Sequence, residues 1–213
     1  MKTSPENKDC DLNPYRLLPW ILILTSLSGA INVYTVKVFG KAVSHHTGNI
    51  SNIAIKLCEK NPLIHRLLVV IICFFVGSLV AGFLFHHKNM HYKKTYILTL
   101  IFIGIALIIL SFINKATLDT YFLPFFIGLQ NGIYIKYKNT AVRTSHITGY
   151  LTDAGFNLGM FFKGQTSSIK KSIFFIISIL FFMIGGIASY FIIENFQKPL
   201  LLYGVLYIFS GIY

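Results

Sequence analysis

The chain has 213 residues, a formal net charge of +12 and a charged fraction of 12%, about half of the ~25% found in soluble domains. Hydrophobic residues make up 54% of the chain and its mean hydropathy is +0.65, which excludes an ordinary soluble domain. Because the Lys and Arg residues lie almost entirely between apolar runs, their charge indicates membrane topology and excludes nucleic-acid binding. We predict an integral membrane protein that has the lipid bilayer as its partner.

The first half of the chain contains three apolar runs behind a polar tail at residues 1–16. The tail carries acidic residues and is a poor signal-peptide start, so we interpret residues 17–36 as a retained first span. Residues 67–85 and 95–113 follow, with no charge in their interiors. Each run approaches the roughly 20 residues that cross a bilayer core. Residues 17–113 therefore form a first unit of three helices.

The second half repeats this order with apolar runs at residues 121–135, 172–193 and 200–213. As a helix the last run covers about 21 Å, which is short of a full crossing. The predicted fold class is an all-α integral membrane protein with about six transmembrane helices. Residues 114–213 form its second unit, whose last helix is short.

Two similar polar phrases, "SHHTGNISN" at 44–52 and "SHITGYLTD" at 145–153, belong to a longer internal repeat. The stretch "GAIN" at 29–32 corresponds to "GLQN" at 128–131, 99 residues later, and the phrases are offset by 101. A unit with three spans must enter the membrane from the opposite face in its second copy. We therefore predict two inverted three-helix repeats with broken or re-entrant segments, an arrangement typical of secondary transporters.

These motifs resemble those of the YoaK-like DUF1275 family of bacterial integral membrane proteins. The matching stretches are "GAIN" with "HHTGN" in the first half and "GLQN" with "RTSHITGYLTD" in the second, and the resemblance covers roughly residue 17 to the C-terminus. It implies a six-helix protein of the bacterial cytoplasmic (inner) membrane and no established activity. The family's first motif usually has Asp where this chain has Asn32, so any proton carried by that carboxylate in relatives must be carried elsewhere here or not at all.

The distribution of basic residues predicts the orientation. More Lys and Arg lie in the tail, in the loop at 86–94 and within 136–171 than in the segments on the other side. By the positive-inside rule we expect a multi-pass protein whose N-terminus is cytoplasmic.

The polar phrases are the candidate binding site. Thr47 and Thr148 each precede a helical pattern, so we predict that they cap these helices. The adjacent Gly48 and Gly149 would let a backbone or a ligand approach closely. Free amides at two helix N-termini suit an anionic or dipolar solute. The alternative is that both helices are short interfacial connectors that contact headgroups.

Three ionisable residues stand out in these phrases. His45 and His146 occupy matched positions and could titrate or bind a metal; alternatively, each donates one hydrogen bond to a carbonyl. Asp153 is the acidic residue nearest to a phrase, and an ionisable group at membrane depth is a functional candidate. Its expected partners are His45, His146 or Lys56, unless it simply faces water at the interface.

Amide side chains complete the predicted site. Asn32, Gln130 and Asn131 either bind the solute or form hydrogen bonds between the halves, which contribute about 0.6–2 kcal/mol each in membranes. The predicted solute-binding residues are Asn32, His45, Thr47, Gly48, Asn49, Gln130, Asn131, His146, Thr148, Gly149 and Asp153. We predict neither a metal site nor a cofactor, because the cysteines show no ligand spacing and His86, His87 and His91 lie at a span end among lysines.

The leading functional hypothesis is a secondary transporter or permease for a small solute, with the site where the two phrases converge. The sequence contains no HExxH, GxSxG or nucleotide-binding loop, so we do not expect an enzyme or an ATP-driven pump. The alternative is a non-transporting structural or regulatory membrane protein. It would bind partner helices, including a second copy of itself, through Gly77-Ser78 and Gly185-Gly186.

Overall fold

The computed structural model describes residues 14–86, 93–138 and 140–213. Predictions about the polar tail with Cys10, and about His87 and His91, lie outside these residues. The described part of the first half contains four helices: α1 (Pro14–Phe39), α2 (His46–Cys58), α3 (Ile64–Leu84) and α4 (Lys93–Ile113). That of the second half contains α5 (Ala116–Gly132), β1 (Ile135–Tyr137), β2 (Thr140–Val142), α6 (Ile147–Phe162), α7 (Ser168–Asn195) and α8 (Pro199–Ile212).

Four of these helices are long and apolar enough to cross a membrane, namely Leu17–Phe39, Ile64–Leu84, Lys94–Ile113 and Ser168–Asn195. By length and composition, these helices support the predicted membrane character. The helices α5 and α8 have only 17 and 14 residues, so a total of six spans remains a prediction.

Large apolar side chains cover the outside of the bundle. Phe75 and Phe83 of α3 are 63% and 72% exposed, and Phe191 of α7 is 59% exposed. A soluble monomer rarely leaves apolar patches of this extent in water, so these faces suit lipid.

Three extensive interfaces hold the bundle together: α1 with α7, α3 with α5, and α4 with α8. Glycines lie where the helices cross, because a side chain there would collide with the neighbouring backbone. A Cβ at Gly104 would lie 2.6 Å from the carbonyl oxygen of Gly204, and a Cβ at Gly204 would lie 2.6 Å from that of Gly104. Small residues at such crossings let membrane helices approach closely and gain van der Waals contact.

The other two interfaces use matched glycines. In the α1–α7 pair, Gly29 lies against the carbonyl oxygen of Phe182; in the α3–α5 pair, Gly128 lies against that of Phe74. Gly29 and Gly128 are the equivalent glycines of the two repeated motifs. Equivalent positions of the two halves therefore make equivalent contacts.

A two-stranded antiparallel hairpin, β1–β2, corrects the expectation that the fourth apolar run is helical from 121 to 135. The helix α5 begins at Ala116 and ends at Gly132, and Ile135 pairs with Val142 in the hairpin. The alternation of buried Ile135 and Tyr137 with partly exposed Lys136 is the strand signal. The ring of Tyr137 stacks on Phe174 of α7, with ring centroids 5.0 Å apart, which anchors the hairpin.

Candidate functional site

The two repeated asparagines fasten each phrase to the helix before it. Asn32 Oδ1 accepts hydrogen bonds from the backbone N–H (3.3 Å) and Oγ (2.8 Å) of Ser44. Asn131 Oδ1 accepts one from the backbone N–H of Ser145 at 3.1 Å. Both asparagines therefore bond within their own half, and the predicted bonding between halves is wrong for them. In each half the chain folds back onto the helix that it has just left.

Thr47 and Thr148 do not cap the short helices as predicted. The residues that precede α2 and α6 are His45 and His146, and neither uses its side chain as a cap. The helical hydrogen bonding starts at the histidine carbonyls, so both threonines lie inside the first turn, where they are exposed.

The glycines of the phrases make room for these histidines. A Cβ at Gly48 would lie 2.8 Å from Cδ2 of His45, and a Cβ at Gly149 would collide with the ring of His146. The predicted close approach therefore occurs, but the approaching group is the imidazole three residues earlier. In both phrases the glycine follows the histidine by three residues, and this spacing places it against the imidazole ring.

The fourth residue of each short helix pins the loop in front of it. Asn49 is buried, and its Nδ2 donates to the carbonyl oxygen of Ala42 at 2.9 Å. At the equivalent position, the hydroxyl of Tyr150 accepts a hydrogen bond from the backbone N–H of Arg143 at 3.0 Å. Burial raises the pKa of Tyr150 to about 12, so this hydroxyl keeps its proton at physiological pH. Asn49 thus has a structural role within the described contacts.

The structure does not bring the two phrases together. The helix α2 packs against α3 and α6 packs against α7, and no packed interface joins α2 to α6 in the described part of the chain. His45, His146 and Asp153 are exposed, and Asp153 forms no ion pair with any described residue. Among the described residues no three His, Cys, Asp or Glu side chains are grouped as they would be to hold a metal ion.

Lys56, one expected partner of Asp153, lies in a basic cluster instead. Burial lowers the pKa of Lys41, and the positive charges of Arg66 and Lys56 lower it further. Lys41 precedes α2, Lys56 lies in its last turn and Arg66 lies in the first turn of α3, so the cluster belongs to the first half. This cluster offers positive charge to an anionic group on that side of the molecule.

Gln130 is the residue that connects the halves. It is 1% exposed, and its Nε2 lies within hydrogen-bond distance of Leu24 O (2.9 Å), Ser28 Oγ (3.0 Å) and Thr144 Oγ1 (2.8 Å). Its Oε1 accepts a hydrogen bond from the hydroxyl of Tyr207. One amide of α5 therefore joins α1, α8 and Thr144, the residue just before the second phrase. Of the three predicted amides, only Gln130 forms hydrogen bonds between the halves.

His46, the residue after the predicted His45, lies in a less polar environment than the exposed His45. Its ring packs on Phe74 of α3 with centroids 4.1 Å apart, and both ring nitrogens are buried without a partner in the structure. Burial lowers the pKa of His46, and the neighbouring His45 lowers it further. Burial therefore favours the neutral form of this imidazole. The equivalent residue of the second half is Ile147, which packs against the core.

Asp119, in the first turn of α5, is the buried acid that the sequence analysis missed. Its side chain is 5% exposed, and Oδ2 accepts a hydrogen bond from the hydroxyl of Tyr34 at 3.3 Å. Oδ1 has no partner. A signal was present in the sequence: Asp119 precedes Gln130 by 11 residues, which is close to three helical turns and places both on one face.

Comparison with protein families gives a match to the family described as "Protein of unknown function (DUF1275)" over residues 20–213. No curated protein matches the chain. No solved structure matches it either.

Proposed function

The chain belongs to the DUF1275 family, and we propose that it is a secondary transporter or permease for a small solute. On this proposal it is a six-span protein of the bacterial cytoplasmic membrane with a cytoplasmic N-terminus. Its excess of Lys and Arg in the tail, in the loop after α3 and around the second phrase supports that orientation.

The observation that carries the proposal is the crossed pairing of the helices. Each of the interfaces α1–α7, α3–α5 and α4–α8 joins one helix of the first half to one of the second. In the repeat, α1 is equivalent to α5, α3 to α7 and α4 to α8. The α1–α7 and α3–α5 pairs are therefore equivalent to each other, and α4 pairs with its own equivalent, α8. Such pairing is what two copies related by a pseudo-twofold axis produce. With three spans per copy, that axis lies in the membrane plane, as in inverted-repeat transporters.

The short helices fit this arrangement. As helices, α5 and α8 extend about 25 Å and 21 Å, and a bilayer adapts to short spans by local thinning at a modest cost. Both short helices belong to the second half, and their equivalents in the first half, α1 and α4, have 26 and 21 residues.

We place the solute site along the α1–α5 contact, between Gln130 and Asn32. Gln130 already binds donors and acceptors from both halves, and Asn32 follows Ser28 by about one helical turn on α1. In this occluded arrangement the polar groups satisfy one another. A solute with amide-like or anionic character would replace some of these bonds when the halves separate.

The phrases then act as two gates, one on each face. His45, Thr47, Gly48 and Asn49 belong to the first gate. Asn131, His146, Thr148, Gly149 and Asp153 belong to the second. Since Asn32–Ser44 and Asn131–Ser145 hold the gates to α1 and α5, breaking one of these contacts would open one face.

The alternative function as a partner-binding protein receives less support. Its sequence evidence consisted of the glycine pairs, and Gly77 and Gly185 lie against backbone oxygens of Phe125 and Ser26 within the same chain. A contact used inside the bundle is not free to bind another helix.

Cysteine labelling at equivalent positions tests the inverted arrangement. Thr47 and Thr148 are both exposed and hold the same place in their helices. On a background without Cys10, Cys58 and Cys73, each is replaced by Cys and probed with a membrane-impermeant maleimide from either side. We expect labelling from opposite faces. Labelling of both from one face would overturn the inverted repeat.

Transport itself is tested with the purified protein. A panel of amino acids, nucleosides, sugars and organic anions is screened for thermal stabilisation, and each stabilising compound is followed by uptake into proteoliposomes. We expect uptake of at least one compound and its loss in Asn32→Ala, with Gly82→Ala as the control variant because Gly82 has open space around it. A full panel without uptake, together with a co-purifying partner protein, would favour the regulatory alternative.

A further inference from the structure

Asp119 is a buried carboxyl for which the described structure provides no compensating cation. The only ion pair among the described residues joins Lys37 to Glu194. The ammonium group of Lys198 lies instead over the ring of Phe112, with Nζ 4.1 Å from the ring centroid. A carboxylate held away from water without a partner is costly, so such a group binds a proton or a cation.

The groups around Asp119 are neutral hydroxyls. Tyr34 of α1 donates to Oδ2, and its ring meets that of Tyr203 of α8 edge to face, with centroids 6.2 Å apart. Tyr203 and Ser189 of α7 share a hydrogen bond of 2.7 Å, and Ser189 donates to the carbonyl oxygen of Ala30 at 2.8 Å. On its own helix, the backbone N–H of Asp119 donates to the carbonyl oxygen of Lys115. Tyr34 therefore contacts this carboxyl directly, and through Tyr34 the contacts continue to Tyr203 and Ser189, none of which carries a charge.

Asp119 lies between the exposed start of α5 and the buried centre of the bundle. Lys115, Ala116 and Thr117, which lie one turn before it, are exposed. In the other direction, the helix face that it shares with Gln130 passes the buried Leu123 and Ile127. A carboxyl one turn from exposed residues and on the face of the inter-half contact is positioned to link protonation to movement of the halves.

We propose that Asp119 is the proton-binding site of this protein and couples proton movement to transport. A hydronium ion transfers its proton to Oδ1, which forms the O–H bond of a carboxylic acid and leaves water, while Tyr34 keeps its bond to Oδ2. The reverse step returns the proton to water. The role as a coupling site rests on the transport function proposed above, whereas the binding of the proton does not.

Infrared difference spectroscopy of the purified protein tests the site, with the proton itself as the probe. A change of pH should produce a carbonyl stretch of a buried carboxylic acid that shifts in heavy water. We expect this band in the wild type and in Glu59→Gln, which removes an exposed carboxylate, and we expect it to be missing in Asp119→Asn. The Tyr34→Phe variant should keep the band at a higher frequency, because its carbonyl loses a hydrogen bond.

Three results would overturn the proposal: a band that persists in Asp119→Asn, no band in the wild type at any pH, or a band abolished by sodium but not by choline at constant pH. The last would identify a sodium site. If Asp119→Asn does not fold, the frequency shift in Tyr34→Phe decides the assignment. The outcome is separate from that of the labelling of Thr47→Cys and Thr148→Cys, which can fail while the carboxyl band is present.

Discussion

At the scale of single residues, the repeated motifs are mainly devices for shaping the backbone. The asparagines hold the returning chain, and the glycines accommodate the imidazole rings of His45 and His146. Repetition of a polar residue in two halves is therefore evidence for a shared local structure before it is evidence for a shared ligand. Ser111, Asp119 and His46 have buried polar atoms without a partner, and the two ionisable ones, Asp119 and His46, have no ionisable equivalent in the other half.

The buried imidazole of His46 predicts acid sensitivity. Its pKa is lowered in the folded protein by burial, whereas in the unfolded chain it titrates near its ordinary value of 6.5. The unfolded state therefore binds more protons as the pH falls below that value, and the stability that neutral His46 contributes is lost. When the pH is lowered from above 6.5 to below it, we expect the melting temperature of His46→Ile to fall less than that of the wild type.

The repeat supplies a matched control for this measurement. Ile147 occupies the position equivalent to His46, so Ile147→His should add acid sensitivity where none is present. Equal pH dependence of the melting temperature in His46→Ile and in the wild type would contradict the assignment.

Much of this local structure could be predicted, and some could not. The helical character of 46–58 and 147–162 follows from the spacing of their apolar residues, and the repeat identified Asn32 and Asn131. The caps were predicted wrongly because threonine is a good N-cap in general, while here the helix starts at a histidine carbonyl. Asp119 was missed because an acid at a helix end usually faces water, and only tertiary packing buries it.

At the scale of helices, close crossing is what defines the interfaces. The serines beside the glycines support it: Ser26 donates to the carbonyl oxygen of Phe181 at 3.0 Å, and Ser78 donates to that of Gly128 at 3.0 Å. These bonds join α1 to α7 and α3 to α5. Each contributes modestly in a membrane, so the larger effect is expected from the loss of close backbone contact.

Substitution of two glycines of α3 distinguishes the effect of helix packing on stability from the effect of helix propensity. A Cβ at Gly77 would collide with the carbonyl oxygen of Phe125, whereas Gly82 has open space around it. We expect Gly77→Ala to destabilise the protein by about 1–3 kcal/mol through overpacking. The control Gly82→Ala should be neutral or stabilising by up to about 1 kcal/mol, since alanine favours a helix. Thermal unfolding in one detergent compares the variants, and equal melting temperatures would contradict this account of the α3–α5 crossing.

At the scale of the whole molecule, neither half is a self-contained body. The three largest interfaces each pair a helix of residues 14–113 with one of residues 116–213, while the α6–α7 interface lies within the second half. The sequence predicted the division into two units but not this exchange of partners, because periodicity marks which face of a helix is apolar without identifying the helix that covers it. Gln130 adds a buried polar link between the same two halves.

Separating the halves tests this arrangement. The short exposed link at Asn114 and Lys115 allows the chain to be expressed as residues 1–115 and 116–213. Each fragment alone exposes the glycine faces that the other should cover, so we expect aggregation or degradation. Expressed together, the fragments should co-purify. A cooperative thermal transition in either isolated fragment would contradict the prediction.

The crossed pairing also sets the order in which the protein can be assembled during synthesis. The ribosome completes α1, α3 and α4 before any of α5, α7 and α8 exists, so Gly29, Gly77 and Gly104 face lipid or an insertion factor at that stage. Each of the three main interfaces forms only when its later helix has been inserted, and the α4–α8 interface forms last. A nascent chain arrested before α7 would therefore leave α1 without its main partner, which makes the first half a natural substrate for membrane chaperones and quality-control proteases.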